Sequence, residues 1–334
     1  MLPCKLREAV FVPFSEGSGP LLRGKLLDRL DRFVAVIELE DTSEEIRAHC
    51  INPGRMEGFV RKGAVVWVQP RFEKLGRATK YTWELILSEE GVVCSTNTRR
   101  PNDVAAALLE ARALPGLDTY VEFRAEKKIP KTNTRCDFWL KEKDGEEHWL
   151  EVKNCHCSYD DPKLKGYGYF PDSITDRGAK HCYELGQIVA EKKARCTVLF
   201  VAQRADVTKG VRVSRYHDPA FASAALDAQA KGVSFRAVRV DCDLRGSTVL
   251  DELPVSLEPN NLDDDALDAA VTKLRPTTGW TRSFDGTPRR VANGPFKHHT
   301  TPKKKAPTTP PSKRPPSSPH FTPPPKKKHH GKEK

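Results

Sequence analysis

Short apolar and β-branched runs, separated by charged or Gly/Pro turns, fill the first third of the chain after residue 20. Their rhythm predicts strands at 21–27, 33–39, 46–50, 64–68, 81–87 and 92–94. Strands this short and this closely spaced protect their edges best by closing on themselves. The expectation is a small barrel of OB type, with an SH3-like barrel as the alternative.

The period then changes. Val104, Leu108, Leu109 and Ala111 fall on one helical stripe that Asn102 or Asp103 can cap and Pro115 stops. Strands are predicted at 120–127, 135–141 and 148–153, with turns at 130–134 and 143–147; the second turn carries Asp144-Gly145, a hairpin signal. A loop rich in Tyr, Gly and Asp covers 155–172. A helix follows at 174–193, with Cys182, Leu185, Ile188 and Val189 at helical spacing. A buried strand at 197–202, a helix at 219–231 and a strand at 233–240 complete an α/β pattern, α+β for the chain as a whole. Residues 243–296 read as a polar linker in which 263–274 forms a short acidic helix. The expected organisation is a barrel over 1–98, an α/β domain over 99–242, the linker, and a tail over 297–334.

Charge changes the picture only at the end of the chain. The net charge is +11, yet the segment from Lys297 to Lys334 holds eleven Lys or Arg against one acid, Glu333. The rest carries 45 basic and 44 acidic side chains and is balanced. Ten prolines and almost no aliphatic residues in the same segment predict a disordered tail. Its excess points to a polyanion, DNA first and RNA second, with an acidic membrane surface as a distant third. Clusters at Lys303–Lys305 and Lys326–Lys328 suit nuclear import, so an intracellular, nuclear destination is expected, with the cytoplasm as the alternative. Nine irregularly spaced cysteines, no leader-like N-terminus and no apolar run long enough to span a bilayer agree with a reducing compartment.

The candidate chemistry lies in Cys136-Asp137-Phe138 and Leu150-Glu151-Val152-Lys153, on two strands joined by the Asp144-Gly145 hairpin. Side chains alternate along a strand, so Glu151 and Lys153 share one face while Leu150 and Val152 take the other. Asp137 can lie beside them. Two converging carboxylates repel and favour a divalent cation, and oxygen ligands of this kind suit Mg²⁺ or Mn²⁺. A neighbouring ammonium can orient an attacking water or stabilise charge at a phosphate.

Asp137 followed by Glu151-x-Lys153, within a helix, three strands, a helix and a strand, resembles the PD-(D/E)XK nuclease core. Further motifs extend the likeness: Asn52-Pro53-Gly54-Arg55-Met56, Lys80-Tyr81-Thr82-Trp83-Glu84-Leu85, Asn97-Thr98, Pro101-Asn102, Arg135-Cys136-Asp137-Phe138, Glu151-Val152-Lys153-Asn154, Phe170-Pro171-Asp172, Asp176-Arg177-Gly178-Ala179-Lys180-His181 and Asp218-Pro219. Over residues 8–242 the chain resembles the sugar fermentation stimulation protein A (SfsA) family. The resemblance implies an OB-like barrel, a nuclease-like domain and DNA binding. It places Asp137 and Glu151 at a metal, Lys153, Glu126 and His181 in the catalytic group, and Arg177, Lys180, Arg55 and Arg135 on nucleic acid. Glu110 is the other candidate third acid, with Glu126 preferred because its strand adjoins Asp137.

Two functions compete: a DNA-binding protein with a metal-dependent phosphodiesterase site, and a non-catalytic DNA-binding or transcriptional regulatory module that keeps the nuclease fold. Cys155, His156 and Cys157 raise a zinc site, but one Cys-x-Cys without a second pair favours free thiols. On the barrel, Arg32-Phe33, Arg71-Phe72, Trp67, Tyr81 and Trp83 form either a stacking surface for single strands or core.

Overall fold

The computed structural model describes residues 6–14, 19–30, 32–72, 79–130, 132–191, 194–258 and 261–274, the side chains of 261–263 excepted. The tail expected at 297–334 lies outside the described residues. Strands β1 (Val10–Pro13), β2 (Leu22–Arg29), β3 (Val34–Leu39), β4 (Glu45–His49), β5 (Val65–Pro70), β6 (Tyr81–Leu87) and β7 (Val93–Ser95) precede helix α1 (Arg100–Glu110). Next come β8 (Tyr120–Lys128), β9 (Arg135–Glu142), β10 (Glu147–Cys155), β11 (Tyr167–Phe170), α2 (Asp176–Ala190), β12 (Arg195–Ala202), β13 (Gly210–Val213) and α3 (Pro219–Ala230). The series ends with β14 (Ser234–Cys242), β15 (Gly246–Leu253), β16 (Val255–Ser256) and α4 (Asn261–Lys273).

Strands β2 to β6 close a five-stranded ring: β2 pairs with β3 and β5, β3 with β4, β5 with β6, and β4 lies parallel to β6. This connectivity is the OB barrel. Its interior is filled by Leu26, Ala35, Ile37, Val66, Val68, Trp83 and Ile86. Trp67 and Leu85 face the other way and join the core beneath the second domain. Trp67 and Trp83 are therefore core rather than platform, whereas Phe33 and Phe72 are exposed.

The second domain is built on a seven-stranded sheet in the order β1-β15-β14-β12-β10-β9-β8. Its centre, β10-β12-β14, is parallel, and both faces are covered, as parallel strands require. On one face α2 and α3 supply Ala179, Cys182, Leu185, Phe221 and Ala225 to the core. On the other, α1 supplies Val104, Leu108 and Leu109. A three-stranded sheet, β11-β13-β16, lies at the margin, and α4 buries Leu267 and Val271 against Tyr159, Tyr169 and Tyr216.

Several expectations are corrected here. The segment 1–98 is not all barrel, because β1 pairs with β15 in the second domain's sheet. Residues 243–296 do not begin as a linker: β15, β16 and α4 occupy that stretch as far as it is described. The 155–172 loop contains β11. Asn102 and Asp103 do not cap α1, since Arg99 holds the cap position without a side-chain bond and Asn102 lies within the first turn. Among the described residues the cysteines are free and buried, and no group of three or more His, Cys, Asp or Glu side chains is arranged to hold an ion. No described helix is long and apolar enough to cross a membrane.

Candidate functional site

Strands β9 and β10 pair through Leu150↔Phe138 and then part. Parting frees the Val152 amide, and the Asp137 carboxylate fills the fork: Oδ2 accepts the Val152 N–H at 2.7 Å. Asn102 of α1 donates its side-chain amide to the other oxygen at 3.0 Å. Asp137 is thus held from two elements, and its position follows from the divergence of the strands.

One residue before and one after Val152, alternation turns Glu151 and Lys153 toward α2. Glu151 is only 3% exposed. Lys153 Nζ donates to Glu151 Oε1 at 2.6 Å, and His181 Nδ1 of α2 contacts the same oxygen. Both bonds fall on Oε1. Thr175 caps α2, its hydroxyl accepting the Gly178 N–H at 3.1 Å, and the buried stripe Ala179, His181, Cys182 and Leu185 turns His181 inward. Arg177 Nε donates to His181 Nε2 at 3.4 Å, which leaves Nδ1–H to point at Glu151.

The electrostatics divide the two acids. Burial, then the charge of Glu151, pushes the Asp137 carboxyl up to about 6, against the pull of Lys153, Val152 N–H and Asn102. Burial also pushes Glu151 upward, but Lys153 and then His181 outweigh it and hold that carboxyl at about 2. Burial lowers Lys153, yet Glu151 and Asp137 more than compensate and its pKa is raised. One firm carboxylate, one reluctant carboxylate and one firm ammonium share the site.

The sign of the consequence is fixed. A carboxyl raised from 3.8 to about 6 by folding favours the native state while protonated and loses that stability as pH rises through the window. Asp137→Asn is therefore expected to stabilise the protein by about 2 kcal/mol at pH 7.5, with the gain gone near pH 4. Calorimetric melting at the two pH values measures it; an equal or lower melting temperature at pH 7.5 would contradict the assignment.

Other candidates are not brought together so closely. Glu126 lies in β8 between the registered pairs Ala125↔Phe138 and Lys127↔Cys136, but its φ of 54° breaks the alternation and the residue is exposed. Its carboxylate bonds none of Asp137, Glu151 and Lys153, and its backbone carbonyl accepts from Arg135 Nη1 at 3.1 Å. Glu110 closes α1. Arg177, Lys180 and Arg135 are exposed, with Lys180 Nζ bonded to Thr134 Oγ1 at 3.1 Å. Arg55 is elsewhere, 3.5 Å from Glu57 at the barrel–domain junction.

That junction holds polar residues whose partnership was not read from the sequence. Asp172 Oδ2 accepts the Met56 N–H at 3.1 Å and lies 3.5 Å from His156 Nε2. Asn154, next to Lys153, donates to His156 Nδ1 at 2.9 Å and accepts from Gln203 at 2.7 Å. Glu57 accepts from Tyr159 at 2.9 Å and contacts His217 Nε2 at 3.1 Å; Ser214 completes the chain at 2.6 Å from His217 Nδ1. Asn52, Gly54, Met56, Asn154 and Asp172 were legible only as motif residues, without a reason for their presence.

The barrel and the forked sheet define a two-domain protein, an OB barrel joined to an α/β domain with a central parallel sheet. Family models agree: the SfsA N-terminal OB domain matches residues 27–95, and the sugar fermentation stimulation protein RE domain matches residues 99–246. A sugar fermentation stimulation protein homolog of Dinoroseobacter shibae is 37% identical over 236 residues, covering 71% of this chain and 93% of that protein. The homolog of Shewanella loihica is 34% identical over 248 residues, covering 74% and 100%. Pyrococcus furiosus SfsA, solved in complex with Ca²⁺, superposes with a TM-score of 0.63 at 23% identity, over 72% of this chain and 98% of that one. The chain belongs to the SfsA family. Both relatives named are bacterial and lend no support to the nuclear destination expected from the tail.

Proposed function

We propose that this chain binds DNA and cleaves phosphodiester bonds at Asp137, Glu151 and Lys153 with the help of a divalent cation. The observation that carries the proposal is the pair of carboxylates in one buried site with the Lys153 ammonium bonded to Glu151. Asp137 is kept reluctant by burial and by Glu151, and a dication would relieve that repulsion. The donor set is oxygen, and Oε2 of Glu151 is spared by both Lys153 and His181. Mg²⁺ or Mn²⁺ fits such a set, with water completing the shell. Bound there, the ion would supply Lewis acidity and an acidified water.

The protein's own residues do the rest. Asn102 and the Val152 amide fix Asp137; His181 orients Glu151 and is itself held by Arg177. Lys153 is held cationic, so it stabilises negative charge at the scissile phosphate instead of accepting a proton. Arg177, Lys180 and Arg135 offer exposed cations to the flanking backbone. The Ca²⁺ of the Pyrococcus furiosus protein is an oxygen-seeking cation of the same class.

A non-catalytic binding module is the second reading. It is favoured by one fact: Lys153 and His181 already compensate Glu151 without any ion. Calorimetric titration separates the two. Wild type is expected to bind Mn²⁺ and cleave a DNA oligonucleotide, while Glu151→Gln binds the ion about 100-fold more weakly or worse and does not cleave. DNA affinity should persist in the variant, because a carboxylate that repels phosphate has gone. Equal, negligible Mn²⁺ binding by both proteins would leave the binding module.

A further inference from the structure

Two motif stretches, Lys80–Leu85 and Asn97-Thr98, have no part in the site described above, and both converge on the start of α1. Glu84 of β6 is 2% exposed and fully partnered: Asn97 Nδ2 lies 3.0 Å from each of its oxygens, and Arg100 Nε donates to Oε2 at 3.1 Å. Asn97 turns its own oxygen to the Arg99 N–H at 3.0 Å, and Thr98 Oγ1 donates to the Ile51 carbonyl. A buried carboxylate held by an amide and a guanidinium is costly to disturb, so the backbone at 97–100 is fixed in place.

This clamp gives two adjacent arginines opposite fates. Arg100 is buried, paired with Glu84 and, through Nη1 at 3.3 Å, with Asp103. Arg99 is exposed, and among the described residues no acid lies within ion-pair distance of it. Asp103 is the acid of the first helical turn, and Arg100 already claims it.

Position decides what this cation faces. Arg99 has helical dihedrals, φ −87° and ψ −28°, so the spacing of α1 runs back to it. Asn102, three residues on, therefore lies on the same face, and Asn102 is the residue that donates to Asp137 Oδ1. Helical side chains lean toward the N-terminus, so Arg99 projects past Asn102 and beyond the end of the helix. Helices α1 and α2 pack on opposite faces of the sheet, α1 bonded to Asp137 and α2 to Glu151. Arg177 and Lys180 belong to the first turns of α2, and Arg135 opens β9. Arg99 adds an exposed cation on the Asp137 flank, across the acid pair from those of α2.

We infer that Arg99 is a phosphate-binding residue, holding the nucleic-acid backbone on the Asp137 side while Arg177 and Lys180 hold it on the Glu151 side. The inference rests on the proposed nucleic-acid function and adds the path of the backbone, between the starts of α1 and α2. A guanidinium suits the task, because it offers two parallel donors to a phosphate and stays charged. The test uses the full chain in EDTA, so neither metal nor cleavage enters. Fluorescence anisotropy titrates a labelled blunt duplex with wild type, Arg99→Gln, Arg99→Lys and Lys143→Gln, from about 50 to 300 mM KCl. Lys143 is exposed in the β9–β10 turn, at the far end of that hairpin from Asp137.

Arg99→Gln should bind about tenfold more weakly at low salt and lower the log–log salt slope by about 1. Arg99→Lys keeps the charge and should recover the slope and most of the affinity. Lys143→Gln should match wild type, although it removes the same charge. Arg99→Gln binding like wild type, a loss that lysine does not rescue, or an equal loss in Lys143→Gln would overturn the inference while wild-type binding keeps the proposed function. A wild type that binds no duplex would overturn both. Absence of Mn²⁺ binding at Glu151 would remove the nuclease reading and leave this result standing.

Discussion

Lys153→Met is expected to abolish DNA cleavage, by about 10²–10³-fold or more, while leaving a folded but weakened protein. Methionine keeps the length of the side chain and removes the charge that holds Glu151 ionised. Two buried carboxylates would then face each other with His181 as their main compensation, and removing one partner of a buried pair costs roughly 3–5 kcal/mol. In wild type the depressed Glu151 contributes stability that is present above 4.5 and lost as pH falls toward about 2. In the variant both acids prefer to be protonated, so the deficit should be largest at pH 7–8 and close toward pH 4. Cleavage assays with Mn²⁺ and melting curves across that range measure the two effects. A variant that melts like wild type at pH 8 would show that Lys153 and Glu151 do not compensate each other as described.

Asp172→Ala is expected to uncouple the barrel from the second domain at a cost of about 3 kcal/mol. The carboxylate accepts the Met56 N–H from the barrel side and faces His156 on the other. Burial opposes its ionisation, but the bond and charge of His156, the Met56 amide and His217 hold it well below the usual carboxylate range. It therefore stabilises the fold above about pH 4 and ceases to do so in acid. Alanine leaves a buried amide and an imidazole without their acceptor. Gly54→Ala should act in the same direction, because an added methyl would press on the Asp172 carboxylate itself. Urea unfolding at pH 7 should show a lower midpoint and separate transitions for the barrel and the α/β domain; a single transition at the wild-type midpoint would refute the role of this contact.

The barrel and strand β10 were legible because their signals are local. Alternation in Leu150-Glu151-Val152-Lys153 fixes the two faces of β10 whatever its neighbours, and the barrel strands are bounded by their own turns. Other features depend on distant partners. β1 is four residues ending in Pro13, and its pairing lies more than 200 residues away in β15. β11, Tyr-Gly-Tyr-Phe, has the composition of a loop and becomes a strand by pairing with β13. Asn102 was read as a cap because Asn favours caps; in the fold its amide goes to Asp137, 35 positions on. Glu126 failed as a site residue because its positive φ turns it out of the strand's alternation, and no pattern of residue types announces that.

The pairing of β1 with β15 makes the barrel an insertion, entered after Pro13 and left before Arg100. A module spliced into its host at two points cannot pivot on a single hinge. With Asp172 as a third fastening, the separation between the barrel and the Asp137–Glu151–Lys153 site becomes a fixed length. Under the proposed cleavage, products of defined length are the signature of such a ruler, and slack introduced at either crossing should blur them.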